Sequence, residues 1–209
     1  MTTDGPPTLG LVLAGGLARR MGGGDKPLID IGGAPILDRV LARLTRDCAQ
    51  IILNANGDAG RFASYCLSVV ADDVPGFAGP LAGVLAGLDW AAQNRPDIAW
   101  LASAPADCPF LPSDLVPRLH AARISQGTPL ACAQSGGRRH PVAGLWPVAL
   151  REDLRRALVN EGLRKIEAWT ARHGVAFAEW PVEPIDPFFN VNTPEDVAAA
   201  ERLAAQCAV

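Results

Sequence analysis

Short apolar runs alternate with helical patterns along most of this chain, and the alternation restricts the folds that it can adopt. Runs typical of buried strands occupy residues 10–14, 50–54, 68–72, 98–103 and 129–133. Between the first two runs, Ile36, Val40 and Leu44 recur at the spacing of one helical face. Strands that alternate with helices form a mostly parallel sheet covered on both faces. The pattern predicts a single three-layer α/β/α domain with a Rossmann-like sheet over residues 9–209, preceded by a flexible N-terminus at residues 1–8.

The second half of the chain adds further elements to this pattern. Residues 139–147 could form an additional strand, which could run antiparallel to the others. Helices are predicted around residues 150–158 and 163–169, followed by a strand at residues 175–180. The last helix is predicted to begin at residues 193–196, TPED, with threonine as N-cap, proline at the first helical position and aspartate completing a capping box.

The composition excludes several classes of function. The 209 residues are 20% charged and 49% hydrophobic, which is typical of an ordinary globular domain. A formal net charge of −3 argues against a nucleic-acid partner, because such partners select a basic surface. No apolar run reaches the ~18–20 residues that span a bilayer, and the opening MTTDGPPT lacks the features of a signal peptide. The five cysteines are scattered without a C-x-x-C pair, so we expect a cytoplasmic protein with no nucleic-acid or membrane partner.

A glycine-rich loop follows the first predicted strand. Residues 15–26 contain five glycines together with Arg19, Arg20 and Lys26, one of only two lysines in the chain. Glycine lets backbone N–H groups converge on an anion, and the cations suit phosphate oxygens. The loop matches neither G-x-x-x-x-G-K-[ST] nor G-x-G-x-x-G, so it is not a P-loop or a dinucleotide fingerprint. A phosphate-binding loop of another kind is favoured over a flexible loop with solvated arginines.

The stretch LAGGLARRMGGGDKPL, residues 13–28, resembles the signature of NTP-dependent nucleotidyltransferases. It is most similar to that of the molybdenum cofactor guanylyltransferases, the MobA family, in which the loop wraps the nucleotide and its triphosphate. The resemblance implies that Lys26 and Arg20 are catalytic. It also implies nucleotide-binding roles for Leu13, Ala14, Gly15, Gly16 and Lys26.

The ends of the later strands carry further residues that match the family. The resemblance implies that Asn54 and Asp72 bind the guanine nucleotide. Asp72 could contact either the base or the ribose. Asn54 could instead form an Asx turn at the end of its strand. Pro80 begins a GPLAG segment whose small residues suit either a nearby ligand or close helix packing. Asp107 lies in the family's D-x-P motif, which implies catalytic, nucleotide-binding and Mg²⁺-binding roles. Mg²⁺ prefers one or two carboxylates with phosphate oxygens, although a local turn would also explain this aspartate.

Two segments are candidates for the second substrate. GGRRHP, residues 136–141, resembles the family's G-x-x-H-P segment. Arg138, Arg139 and His140 could therefore bind the phosphate of the second substrate. The alternative is that these residues form only the polar tip of a hairpin. FFNVNTPED, residues 188–196, resembles the family's N-V-N-T-P-E-D/E and implies that Asn190 and Asn192 approach the site. In related nucleotidyltransferases an asparagine in this region shares the metal with the aspartate.

The resemblance implies transfer of GMP from GTP to molybdopterin, with Mg²⁺ as cofactor and pyrophosphate as the second product. Molybdoenzymes or cofactor-delivery proteins are possible partners. Other enzymes that fit are a molybdopterin cytidylyltransferase and a sugar-phosphate nucleotidyltransferase. A non-catalytic GTP-binding module that delivers the cofactor is an alternative from a different class.

Overall fold

The computed structural model describes residues 5–15, 25–74 and 79–207. The strands are β1 (Thr8–Leu13), β2 (Asp30–Ile31), β3 (Ala34–Pro35), β4 (Gln50–Asn54), β5 (Ser68–Val70), β6 (Trp100–Pro105), β7 (Leu130–Ser135), β8 (Arg138–Pro147) and β9 (Val175–Trp180). The α-helices are α1 (Ile36–Leu44), α2 (Pro80–Asn94), α3 (Leu115–Gln126), α4 (Arg151–Val159), α5 (Ile166–His173) and α6 (Pro194–Cys207). The prediction for residues 1–8 falls partly outside the described residues.

A seven-stranded sheet forms the centre of the domain, in the order β5–β4–β1–β6–β8–β7–β9. Strand β8 is antiparallel to both of its neighbours, β6 and β7, and all other pairs in the sheet are parallel. Six of the seven strands therefore point the same way, which confirms the mostly parallel sheet. Because β8 runs in the opposite direction, its first residues lie at the edge where the other six strands end.

Helices cover both faces of the sheet. Buried side chains of α1, α3 and α6 belong to one hydrophobic cluster, and those of α2, α4 and α5 belong to another. Successive residues of β1 alternate between the two clusters, since Leu11 lies in one and Val12 in the other. The predicted three-layer α/β/α domain is therefore confirmed. Among the described residues, no helix has the length and apolar character to cross a membrane.

Strand β6 begins two residues later than the sequence pattern suggested. Ile98 was expected in the strand, but its N–H donates to the carbonyl of Arg95 at 2.9 Å, in the turn that follows α2. The strand instead runs to Pro105, which pairs with Leu13 of β1. Asp107 therefore lies only two residues beyond the end of β6.

His120 of α3 ties that helix to the start of the sheet. Thr8 Oγ1 donates to the carbonyl of Pro6, so it accepts from His120 Nε2 at 2.9 Å. The other ring nitrogen, Nδ1, accepts from Arg123 Nε at 3.2 Å. Both contacts suit the neutral ring, and the pKa of His120 falls to about 4, mainly through burial and secondarily through Arg123.

This histidine makes the fold acid-sensitive. Its folded pKa of about 4 lies below the ordinary value of 6.5, so unfolding takes up a proton when the pH is between the two. We expect His120 to lower the free energy of unfolding by about 3 kcal/mol between pH 7 and pH 4. Urea unfolding of the wild-type protein and of His120→Gln across this range measures the contribution. Equal pH dependence in the two proteins would contradict it.

Candidate active site

A cleft of about 900 Å³ opens at the edge where six of the strands end. Its volume is within the range of small-molecule sites, about 300–1,000 Å³. Most of the predicted site residues line it: Leu13, Ala14, Gly15, Lys26, Asn54, Asp72, Asp107, Arg138, His140 and Asn190. Asn192 reaches it through a hydrogen bond to Lys26. The predicted residues Gly16 and Arg20, and the neighbouring Arg19, lie outside the described residues.

Four residues that are distant in sequence meet at one side of the cleft. Lys26 Nζ donates to Asp107 Oδ2 and to Asn192 Oδ1, at 2.6 Å in each case. Asn190 Nδ2 donates to the other carboxylate oxygen, Asp107 Oδ1, at 3.0 Å. The side chains of Lys26 and Asp107 are 13% and 23% exposed, so their ion pair is partly shielded from water. We call this group of four the lysine–aspartate cluster.

Backbone contacts hold the cluster in place. The carbonyl of Asp107 accepts the N–H of Val191 at 2.9 Å, which fixes the segment with both asparagines beside the end of β6. The predicted capping box follows: Thr193 N–H donates to Asp196 Oδ2 at 2.9 Å, and Asp196 N–H donates to Thr193 Oγ1 at 3.2 Å. Asp196 also accepts the N–H of Asn192 at 2.8 Å, and this bond is the main cause of the lowered pKa of Asp196. The N-terminal cap of α6 thus also orients Asn192, a residue of the cluster.

Asp107 is the carboxylate of the cluster that could hold a divalent cation. Asp107 Oδ2 accepts one hydrogen bond, from Lys26, and keeps a further lone pair, whereas Oδ1 accepts from Asn190 and, at 3.8 Å, from Cys108 Sγ. Among the residues that the structure describes, no three His, Cys, Asp or Glu side chains gather as a metal-binding group. A cation that takes most of its ligands from phosphate and water needs only one or two carboxylates. The donor set fits a cation of that kind.

Asn54 and Asp72 meet at another part of the cleft wall. Asn54 Nδ2 donates to Asp72 Oδ1 at 2.9 Å and to the carbonyl of Val70 at 3.2 Å. Asn56, which the sequence analysis did not single out, donates from Nδ2 to Asp72 Oδ2 at 2.8 Å and accepts the N–H of Asp72 at 2.9 Å. Both carboxylate oxygens are therefore held by amides, and the orientation of Asp72 is fixed before any ligand binds.

Gly83 allows helix α2 to approach Asn54. A Cβ at this position would lie 2.5 Å from Leu13 Cδ2 and closer still to Asn54 Oδ1. No side chain fits there unless both of these neighbours are displaced. Gly79 and Pro80, at the start of the same helix, line the cleft. The GPLAG segment therefore contributes both to close packing and to the cleft wall.

Arg61 is a cleft residue that sequence reasoning missed. Its Nη1 donates to Asp25 Oδ1 at 2.7 Å, and its Nη2 donates to the carbonyl of Asn56 at 3.0 Å. Arg61 thus connects the residue preceding Lys26 to the Asn56–Asp72 pair. The second asparagine of NAN offered a signal for Asn56, whereas Arg61 stands in a 3-10 segment (Ala59–Tyr65) without any motif.

The start of β8 supplies the remaining predicted residues. His140 Nε2 lies 2.8 Å from Ser135 Oγ, and the imidazole stacks on the ring of Phe188 at 4.5 Å between centroids. Burial is the main cause of a lowered pKa of His140, which favours the neutral ring at pH 7. Arg138 is exposed beside it. Within the described parts of the chain, no hydrogen bond joins His140 or Arg138 to the lysine–aspartate cluster, so the groups share a cleft without touching.

Comparison with known proteins identifies the family. The MobA-like NTP transferase domain matches residues 10–175. A molybdenum cofactor guanylyltransferase of Nitrobacter hamburgensis is 64% identical over 205 residues, which cover 98% of each chain. The crystal structure of molybdopterin-guanine dinucleotide biosynthesis protein A from Archaeoglobus fulgidus aligns with a TM-score of 0.73 at 24% identity, over 95% of this chain and 99% of that one. Rv0371C from Mycobacterium tuberculosis, solved in complex with manganese, aligns with a TM-score of 0.67 at 18% identity, over 94% of this chain and 98% of that one. The chain therefore belongs to the molybdenum cofactor guanylyltransferase family, as its glycine-rich signature indicated.

Proposed function

We propose that this protein transfers GMP from GTP to the terminal phosphate of molybdopterin, which forms molybdopterin guanine dinucleotide and releases pyrophosphate. As a member of its family it is a nucleotidyltransferase of molybdenum cofactor biosynthesis. The observation that carries the proposal is the lysine–aspartate cluster, in which a cation and a carboxylate 81 residues apart meet in a cleft of small-molecule size. The names of the relatives favour guanylyl transfer over cytidylyl or sugar-phosphate transfer, and over a non-catalytic delivery module.

GTP would lie along the loop that follows β1. The backbone of Leu13, Ala14, Gly15 and Gly16 would approach the nucleotide, and its base or ribose would meet Asn54 and Asp72. Each oxygen of Asp72 keeps a lone pair beyond its asparagine contact, and that lone pair can accept an N–H of guanine or a ribose hydroxyl.

The second substrate would supply its own nucleophile. A phosphate monoester has a second pKa of about 6, so at pH 7 it is mostly dianionic and needs no general base. One of its oxygens would form a bond to the α-phosphorus of GTP while the bond to the departing pyrophosphate breaks. The protein must therefore hold two polyanions close together in the reacting orientation. Lys26 would stabilise the charge that develops on pyrophosphate, and Arg20 would add a second positive charge.

We propose Mg²⁺ as the divalent cation of this site. Asp107 would hold it, with Asn190 as the neighbouring oxygen donor. When bound, the ion would supply positive charge for the triphosphate as a Lewis acid. The contacts of its carboxylate with Lys26 and Asn190 support one orientation of that group, and the Val191 N–H fixes the backbone of Asp107. We also propose a cytoplasmic location and molybdoenzymes or delivery proteins as recipients of the product, since the curated relatives act in cofactor supply by name.

Pyrophosphate release tests the proposal directly. The purified protein, molybdopterin and Mg²⁺ are combined with GTP, CTP or UTP in parallel, and pyrophosphate is measured. We expect release with GTP only, together with a GTP-dependent rise in melting temperature. Release that requires CTP would favour a cytidylyltransferase. Binding of GTP without any release would indicate a non-catalytic module instead.

Gly83→Ala tests the nucleotide wall separately. The added Cβ would displace both Asn54 and Leu13, so we expect the free energy of unfolding to fall by about 1–3 kcal/mol and the Kd for GTP to rise about tenfold. Denaturant unfolding and calorimetry measure the two effects. Gly79→Ala is the matched control for stability, because no atom of the described residues lies within 4 Å of a Cβ at Gly79. Equal stability of the two variants would contradict the packing argument.

A further inference from the structure

A chain of hydrogen bonds supports His140 from behind. Ser135 Oγ donates to Asp186 Oδ1 at 2.9 Å and lies 2.8 Å from His140 Nε2. Ser135 is 2% exposed, so water does not compete for these contacts. Asp186 Oδ1 also accepts the N–H of Phe188 at 3.0 Å, and the Phe188 ring covers one face of the imidazole with 20° between the planes. The imidazole is therefore held both by its edge and by its face.

The number of protons available to these hydrogen bonds determines the tautomer of His140. An ionised carboxylate can only accept hydrogen bonds, so the hydroxyl proton of Ser135 points to Asp186. The hydroxyl has no second proton, and it must act as the acceptor toward His140. The hydrogen of the neutral imidazole therefore lies on Nε2, and Nδ1 carries a lone pair. Burial, which lowers the pKa of His140, keeps the ring in this neutral form.

A lone pair at Nδ1 selects the group that can bind there. It attracts an N–H or O–H donor and is repelled by the oxygens of a phosphate. Among the residues that the structure describes, none donates to Nδ1. Arg138 lines the same cleft and is exposed, so its guanidinium is a local donor that suits phosphate, whereas the guanidinium of Arg139 lies over the ring of Phe177 at 4.3 Å.

We propose that His140 accepts a hydrogen bond from the second substrate through Nδ1, with Ser135 and Asp186 as positioning residues that fix this tautomer. The phosphate of that substrate is then left to Arg138, which refines the expectation that His140 meets it. The inference rests on the proposed function, in which the second substrate is molybdopterin. The pterin ring of molybdopterin carries the N–H and amino donors that Nδ1 requires.

The tautomer is measured in the free protein, without any substrate. Nitrogen-15 NMR of the side chains of the three histidines distinguishes a protonated from an unprotonated ring nitrogen, and the His140 signals are those lost in His140→Phe. We expect a protonated Nε2 and an unprotonated Nδ1 at neutral pH. In Asp186→Ala the Ser135 proton is free to turn toward Nε2, so the population should shift toward the Nδ1–H tautomer. An Nδ1–H tautomer or an imidazolium in the wild-type protein would overturn the inference.

Steady-state kinetics test the role in binding. His140→Phe keeps a ring against Phe188 and removes both nitrogens, so we expect KM for molybdopterin to rise about three- to tenfold while KM for GTP changes less than about twofold. Asp186→Ala should raise KM for molybdopterin in the same direction. The matched control is His173→Phe, because His173 bonds Asp153 outside the cleft and should leave both constants unchanged.

Different results would contradict the acceptor role of His140 and the proposed function of the protein. If the wild-type protein turns over and His140→Phe keeps its KM for molybdopterin, the acceptor role is wrong and the proposed function stands. If the wild-type protein releases no pyrophosphate, the proposed function is wrong and the assignment to this substrate falls with it. If His140→Phe does not fold, the His140 signals are those that remain in both His120→Gln and His173→Phe, and Asp186→Ala decides, since it retains the imidazole and reports on the tautomer.

Discussion

Asp107→Ala is expected to lower kcat/KM for GTP about a thousandfold, because it removes the carboxylate that would hold the cation at the triphosphate. The fold should survive, since the carboxylate is 23% exposed and the backbone contact from Val191 does not need the side chain. We expect the melting temperature to change by less than about 10 °C. Steady-state kinetics and thermal unfolding measure the two quantities on the same preparation.

Asp107→Asn separates the charge of Asp107 from its shape, and a variant at another aspartate serves as its control. Asp107→Asn keeps an oxygen that can accept from Lys26 but loses the negative charge, so we expect a loss close to that of the alanine variant and weaker Mn²⁺ binding in the presence of GTP. Asp97→Ala is the matched control, because it removes an exposed aspartate that pairs with Arg95 on the surface and does not line the cleft. Full activity in Asp107→Ala would refute the metal-binding role.

The strand ends of this protein could be predicted because local sequence determines them. Strands β4 and β9 have the bounds that their apolar runs suggested, and the capping box of α6 forms from the side chains that its sequence named. In a parallel sheet the carboxyl ends of the strands lie at one edge. The strand assignments alone therefore predict that Asn54 and Asp107 line the same cleft, as they do. The catalytic role of Lys26, the partner of Asp107 in the cluster, was assigned by resemblance to the family.

The supporting contacts could not be predicted, because they depend on which loops the sheet order brings together. Arg61 meets Asp25 across 36 residues, and Ser135 meets Asp186 across 51 residues, with no periodicity or motif that pairs them. The tautomer of His140 depends in turn on that second contact. Such residues are found only once the tertiary structure places a donor opposite an acceptor, so sequence reasoning named groups that would touch substrates and missed the groups that orient them.

Lys26→Met is expected to lower kcat/KM for GTP about one hundred- to one thousandfold, the range seen when a preorganised donor to a developing negative charge is removed. Methionine retains most of the length of the side chain without the charge. Nζ of Lys26 contacts both Asp107 Oδ2 and Asn192 Oδ1, and the side chain is largely shielded from water. We therefore expect that no cation from solution takes the place of the lost ammonium group. If stabilisation of the departing pyrophosphate is its role, kcat should fall more than KM rises.

A double-mutant cycle distinguishes that role from mere support of Asp107. If Lys26 acts only by orienting the carboxylate, Lys26→Met adds nothing once Asp107→Ala is present; a direct contact with the triphosphate leaves a further loss in the double variant. Lys165→Met is the matched control, because Lys165 is the only other lysine of the chain and lies exposed before α5. An unchanged kcat/KM in Lys26→Met would transfer the role to Arg19 or Arg20, whose alanine variants would then carry the loss. A fall in Lys26→Met with no fall in Lys165→Met ties the effect to the position of the charge, since both variants change the net charge of the protein equally.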